Sequence, residues 1–170
     1  NTVTTANGVV NISGGNGCTN TVTTANERVT MTGTNTVTTA AGTVNASGIN
    51  TITTAQGTVF ATGHTNTISN ANGVVNVTGS TNTLTTVDGN VHITGYSNTV
   101  TTAQGTVYIT GTTSTITTNA SGGKVYITGD AAYLMGSYGT TYVTGNTTVI
   151  SNADGGKVFV TGASSTVSVN

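Results

Sequence analysis

A unit of about fifteen residues recurs along the whole chain, and this period constrains the fold more than any other feature. "NTVTTAQGTVYITG" occupies residues 98–111, and "NTVTTAAGTVNASG", "NTITTAQGTVFATG" and "NTLTTVDGNVHITG" begin at Asn35, Asn50 and Asn82. Units open at Asn1, Asn20, Asn35, Asn50, Asn66, Asn82, Asn98, Ser114, Ala132 and Thr148, with a fragment from Ser165. The extra residues that lengthen some units, "GGNGCT" at 14–19 and "NASGG" at 119–123, sit at segment ends. Surface loops on a stack accept such insertions.

Each unit contains two short runs, "TVTT" and "TVYIT", in which polar and apolar residues alternate. Period-two alternation reads as a half-buried strand, and the Gly, Asn and Ala between the runs read as turns. One unit is too thin to bury its own apolar face, whereas stacked units bury a continuous one. The expected fold is therefore all-β: a single-domain β-solenoid (β-roll or β-helix) over residues 1–170. It has about ten coils of 15–19 residues and two main parallel sheets. The inward columns run from Val3 through Val22, Leu84 and Ile116 to Ile150, from Val10 through Val59 and Thr141 to Val158, and from Ile12 through Met31 and Ile93 to Val160. The Asn that opens most units is expected to form an internal amide ladder at a corner. Gly8, Gly42, Gly57, Gly73, Gly89 and Gly105 are expected to supply positive φ at the other corner.

If the Val3 column points inward, its neighbours point out. That places Thr2 and Thr4, Thr21 and Thr23, Thr36 and Thr38, and Thr51 and Thr53 on one face. Thr67 and Ser69, Thr83 and Thr85, Thr99 and Thr101, and Thr115 and Thr117 continue the same two files of hydroxyl and methyl groups. Partners along a strand lie roughly 6.6–7 Å apart and successive coils roughly 4.7–4.9 Å apart. Thr is a good strand former, and Thr–Thr pairs stabilise sheets modestly, so strand propensity alone supplies part of this pattern. The middle outward position of the second strand is far less uniform. It reads Asn11, Thr30, Asn45, Phe60, Asn76, His92, Tyr108, Tyr126, Tyr142 and Phe159. Its rings, Phe60, His92, Tyr108, Tyr126, Tyr142 and Phe159, form a candidate self-association face.

Only 4% of residues are charged, three Lys+Arg against four Asp+Glu. That is too few cations for a nucleic-acid footprint or a polybasic membrane patch, and no apolar run is long enough to insert in a bilayer. Cys18 is the single cysteine, which rules out an intramolecular disulfide; it reads as a small buried or turn thiol, with an intermolecular bridge as the alternative. Asp88 and Asp154 occupy similar positions four coils apart, roughly 19 Å, too far for a catalytic carboxylate pair. His64 and His92 fall at different points of their coils, which argues against a shared metal. No enzymatic activity, cofactor or metal is expected.

The Thr-x-Thr array on a β-solenoid resembles that of ice-binding (antifreeze) proteins. The short coils with "GSTNTLTT" at 79–86 and "GYSNTVTT" at 95–102 are most similar to the ryegrass-type family, whose units run xxNxVxG. The present chain has a longer second strand, an aromatic file, and none of the cysteine staples of the insect Thr-x-Thr solenoids. The resemblance implies a secreted, extracellular protein whose partner is the surface of an ice crystal. Methyls would sit in gaps of the surface water lattice while hydroxyls hold anchored waters. An alternative from another class is a structural filament or cell-surface adhesin module, a homodimer or fibril assembling through the aromatic file or end to end.

Overall fold

The computed structural model describes residues 1–15, 17–118, 123–130, 132–137, 139–146, 148–153, 156–163 and 165–169. Side-chain placement is described for these except at 6, 25, 40, 55, 71, 86, 87, 102–104, 118, 132, 136, 137, 148–153, 165 and 167–169. The inward placement expected of Ile150, and any role of Asp154 or of the 119–122 insertion, lie outside this set.

All described regular structure is extended and parallel. The strands are β1 (Thr2–Asn7), β2 (Val10–Ser13), β3 (Thr19–Thr118), β4 (Lys124–Thr128), β5 (Ala132–Ser137), β6 (Thr140–Thr144), β7 (Thr148–Ala153), β8 (Lys157–Thr161) and β9 (Ser165–Val169). β3 is a continuous winding stretch in which the chain pairs with itself, coil upon coil. The first strand of each unit builds one wall, from β1 through β3 to β5, β7 and β9. The second strand builds the other, from β2 through β3 to β4, β6 and β8. The two expected sheets are these walls, joined through paired corners into one parallel sheet.

The registers set inward position on inward position: Val3 opposite Val22, Val10 opposite Val29, Ile116 opposite Leu134, Val125 opposite Thr141. Because side chains alternate with period two, this register commits the three apolar columns to the interior at once. The three columns form one core, with Val22, Val29, Val59, Val91 and Ile116 wholly buried and Val3, Ile12, Val158 and Val160 half-buried at its ends. Each fully buried side chain of this size contributes about 1.5–3 kcal/mol.

Interior polar groups fix the register further. Asn1, Asn20, Asn35, Asn50, Asn66, Asn82 and Asn98 form an amide ladder in which each Nδ2 donates to the Oδ1 of the next, at 2.7–3.0 Å. The remaining Nδ2 hydrogens reach corner carbonyls such as those of Thr32, Ser47 and Gly95. A shift by one residue would replace these buried bonds with orphaned amides, a penalty of about 1–3 kcal/mol for each group. Ser114, buried but shorter, takes the next place in the column.

The corner between the strands depends on glycine. Gly57 has φ 149°, and a Cβ there would overlap the Gly42 carbonyl oxygen of the coil before it. Gly89, expected to share the positive φ, lies outside that range; its constraint is the close approach itself, against the Gly73 carbonyl. Of the two placements expected of Cys18, the turn holds and burial does not: it is exposed, and its N–H closes a turn onto the Gly15 carbonyl.

One interior column goes beyond the three that alternation marks. The last Thr of "TVTT" turns inward, burying Thr24, Thr39, Thr54 and then Asn70 in its place. Thr24 donates to Thr39 at 3.4 Å, but Thr54 Oγ1 and both amide atoms of Asn70 are buried without a partner. Asn66→Ala, which removes both its ladder bonds, should lower unfolding free energy by about 2–4 kcal/mol, while Thr67→Ala beside it changes stability by under about 0.5 kcal/mol. Asn70→Thr, which removes the orphaned amide, should stabilise by about 1 kcal/mol. Denaturant titration followed by circular dichroism checks all three.

Candidate functional site

The first wall carries the threonine files where alternation puts them. Thr2 and Thr4 pair in register with Thr21 and Thr23, and the offsets of 15 and 16 residues along the amide ladder carry the same alignment through the following coils. In the four middle coils both members of each pair are exposed. Thr36 and Thr38 flank buried Val37, and Thr51 and Thr53 flank buried Ile52. Thr67 and Ser69 flank buried Ile68, and Thr83 and Thr85 flank buried Leu84. Toward the ends the exposure is less even, since Thr21, Thr101 and Thr117 are half-buried rather than exposed. Ser69 departs from the pattern in another way: it keeps the hydroxyl but has no methyl, leaving one gap in the apolar part of its file.

All sixteen Thr and Ser positions therefore lie on one wall. No charged residue interrupts them: Glu27 and Asp88 fall at the glycine corner and Asp130 at the asparagine corner. The array stops at Tyr133 and Met135, the register partners of Thr115 and Thr117, both exposed. The side chains of Val149 and Ser151, where the next break is expected, lie outside the described residues.

This wall repeats one small side chain at regular intervals. Thr is β-branched and stiff at χ1, so a column of identical Thr in identical backbone repeats one rotamer. The core beneath is close-packed and cannot yield locally. Hydroxyl and methyl therefore recur at fixed intervals in two directions.

The second wall is organised differently. His92, Tyr108, Tyr126, Tyr142 and Phe159 stack ring on ring, with centroids 4.7, 4.8, 4.9 and 4.9 Å apart and interplanar angles of 4–8°. These spacings are the coil rise, read directly from side chains. Phe60 is exposed but separate, with Asn76 in the coil between it and His92. His92, one of the rings read from the sequence, is the first of the ladder.

A further hydroxyl file lies on the second wall, beyond the positions that the sequence singles out. The last outward position of the second strand is Ser or Thr from Ser13 and Thr32 through Thr144 and Thr161, exposed throughout. Ser47 and Thr62 in this file hydrogen-bond at 3.0 Å. The first wall differs by carrying two such files side by side.

His64 Nδ1 faces Ser80 Oγ at 3.0 Å, whereas His92 is engaged in stacking. Among the described residues no group of three His, Cys, Asp or Glu comes together. A groove of about 510 Å³ beside the 14–19 insertion is lined by Gly14, Gly17, Gly33, Gly48, hydroxyls, Ile49 and the edge residue His64.

No family model, curated protein or solved structure matches this chain.

Stacked aromatic pairs stabilise by about 0.5–1.5 kcal/mol beyond area burial. Tyr142→Ala, which breaks two stacks, should cost about 1–3 kcal/mol, and Phe60→Ala, with no ring neighbour, under about 1 kcal/mol. Thermal unfolding gives the difference, and loss of near-ultraviolet dichroism in Tyr142→Ala alone identifies its source.

Proposed function

We propose that this protein binds ice through the two threonine files of its first wall. The observation supporting this reading is the register: Thr-x-Thr repeats on coil after coil, exposed and uncharged, above a core that holds the spacing rigid. The run from Thr36 and Thr38 to Thr83 and Thr85, exposed at every position, would be the centre of the contact. The resemblance to ryegrass-type ice-binding solenoids points the same way.

Adsorption of this kind involves no chemical step. One hydroxyl competing with bulk water for a lattice water gains little, so the surface acts only as an array. Preorganisation decides the outcome: stiff rotamers on a packed scaffold lose little freedom on binding, and each further coil adds contacts without a further loss of translational entropy. Methyls on the same files exclude poorly ordered water between anchored positions. The absence of charge on the wall favours this, since a charged group orders water around itself rather than in a lattice.

The rod offers an internal control, because its Thr face ends at Tyr133 and Met135 while the scaffold continues. Thr83→Tyr, in mid-array, or Thr99→Tyr, nearer its end, should reduce thermal hysteresis by roughly an order of magnitude through lost multivalency, with melting temperature nearly unchanged. Thr94→Tyr, on the other wall, should leave hysteresis intact. Nanolitre osmometry on the purified proteins measures this. Equal hysteresis in all variants, or none in the parent, would refute the assignment.

A further inference from the structure

The ring ladder of the second wall is a second recognition feature, and its geometry selects what it can hold. Tyr108, Tyr126 and Tyr142 each have both ring faces covered by neighbours at 4.7–4.9 Å. A nucleobase or sugar ring that needs an open aromatic face finds none on these three. What remains accessible is a continuous ridge of ring edges, with Tyr108, Tyr142 and Phe159 between 39% and 51% exposed.

Beside this ridge runs the first outward file of the second strand, which includes Lys124, Thr140 and Lys157. The paired register puts Lys124 opposite Thr140 and Thr140 opposite Lys157, so the two lysines stand two coils apart, roughly 10 Å. The chain has only three Lys and Arg; the third, Arg28, belongs to the same file far along the rod. Two of the three cations thus flank the rings of Tyr126, Tyr142 and Phe159. Both lysines are exposed, with stems long enough to lie along the flank of the ridge.

A second copy of the chain fits this patch poorly. The ladder is four steps long and the wall three outward files wide, which gives about 270 Å² a side, against roughly 800 Å² a side in a stable complex. A small ligand lying lengthwise needs far less.

We propose that the surface strip between the ring ladder and Lys124–Thr140–Lys157 binds an elongated, planar aromatic dianion along the rod axis. Its apolar edge would rest on the ridge formed by Tyr126, Tyr142 and Phe159, and its two acid groups, about two coil rises apart, would meet Lys124 and Lys157. The site lies on the other wall from the threonine files, so its test is separate from that of ice binding.

Fluorene-2,7-dicarboxylate is a suitable probe, being flat, fluorescent and of about the required length. Titration of the intact protein at low salt should show saturable binding. The double variant Lys124→Gln with Lys157→Gln should weaken it about five-fold, as expected for two exposed charge contacts. Tyr142→Thr, which keeps a strand-forming residue, should weaken it at least as much, and raised salt should weaken the parent but not the double variant. Melting curves confirm that each variant is folded. Absence of binding, or binding unchanged in the lysine or Tyr142 variants, overturns the proposal. So does sedimentation showing a dimer that Tyr142→Thr dissociates, since the ridge is then an interface.

Discussion

The buried amide ladder holds every other feature in place. Each Asn from Asn20 to Asn82 accepts from the coil before it and donates to the coil after it, so a coil out of register leaves polar atoms orphaned in the interior. Apolar columns alone would tolerate slippage, because Val on Val looks much like Val on Ile. The amides make the difference between a stack and an in-register stack. In-register stacking turns a run of Thr into a file, and a run of Tyr into a ladder.

From that constraint the two walls acquire different characters on one scaffold. On the first wall small side chains repeat in two dimensions, producing an uncharged surface from Thr2 to Thr117. On the second, toward β4, β6 and β8, large rings fill the middle file and two lysines stand beside it. The changeover is gradual: His92 and Tyr108 begin the ladder in coils that still carry Thr83 and Thr85, then Thr99 and Thr101. Only at Tyr133 and Met135 does the Thr surface stop.

Most of the fold is legible in the letters because the repeat supplies the same information many times. The period gives coil length, alternation gives the inward columns, and the insertion at 14–19 falls between β2 and β3, where a surface loop belongs. The outward files follow from the same alternation, so Thr38, Thr53, Ser69 and Thr85 stand exposed beside their partners as parity requires. The features that escape have identifiable causes. Thr24, Thr39 and Thr54 are buried, yet Thr reads as a surface residue, and only the parity of "TVTT" points them inward. Asn70 in that column cannot be told from a surface substitution until the packing is known. The half-burial of Thr21, Thr101 and Thr117 depends on neighbouring side chains that the repeat does not fix. Cys18, a residue usually buried, is exposed because the loop that carries it adds length without adding core.

The central claim is that a rigid grid of threonines recognises a crystalline water surface. The most direct measurement is to grow a single ice crystal in a solution of fluorescently labelled protein and observe where the label enters. The account predicts bright, discrete facets of fixed crystallographic orientation, reflecting one repeating spacing on one wall. Dark ice, with the protein swept into the remaining liquid, would contradict it.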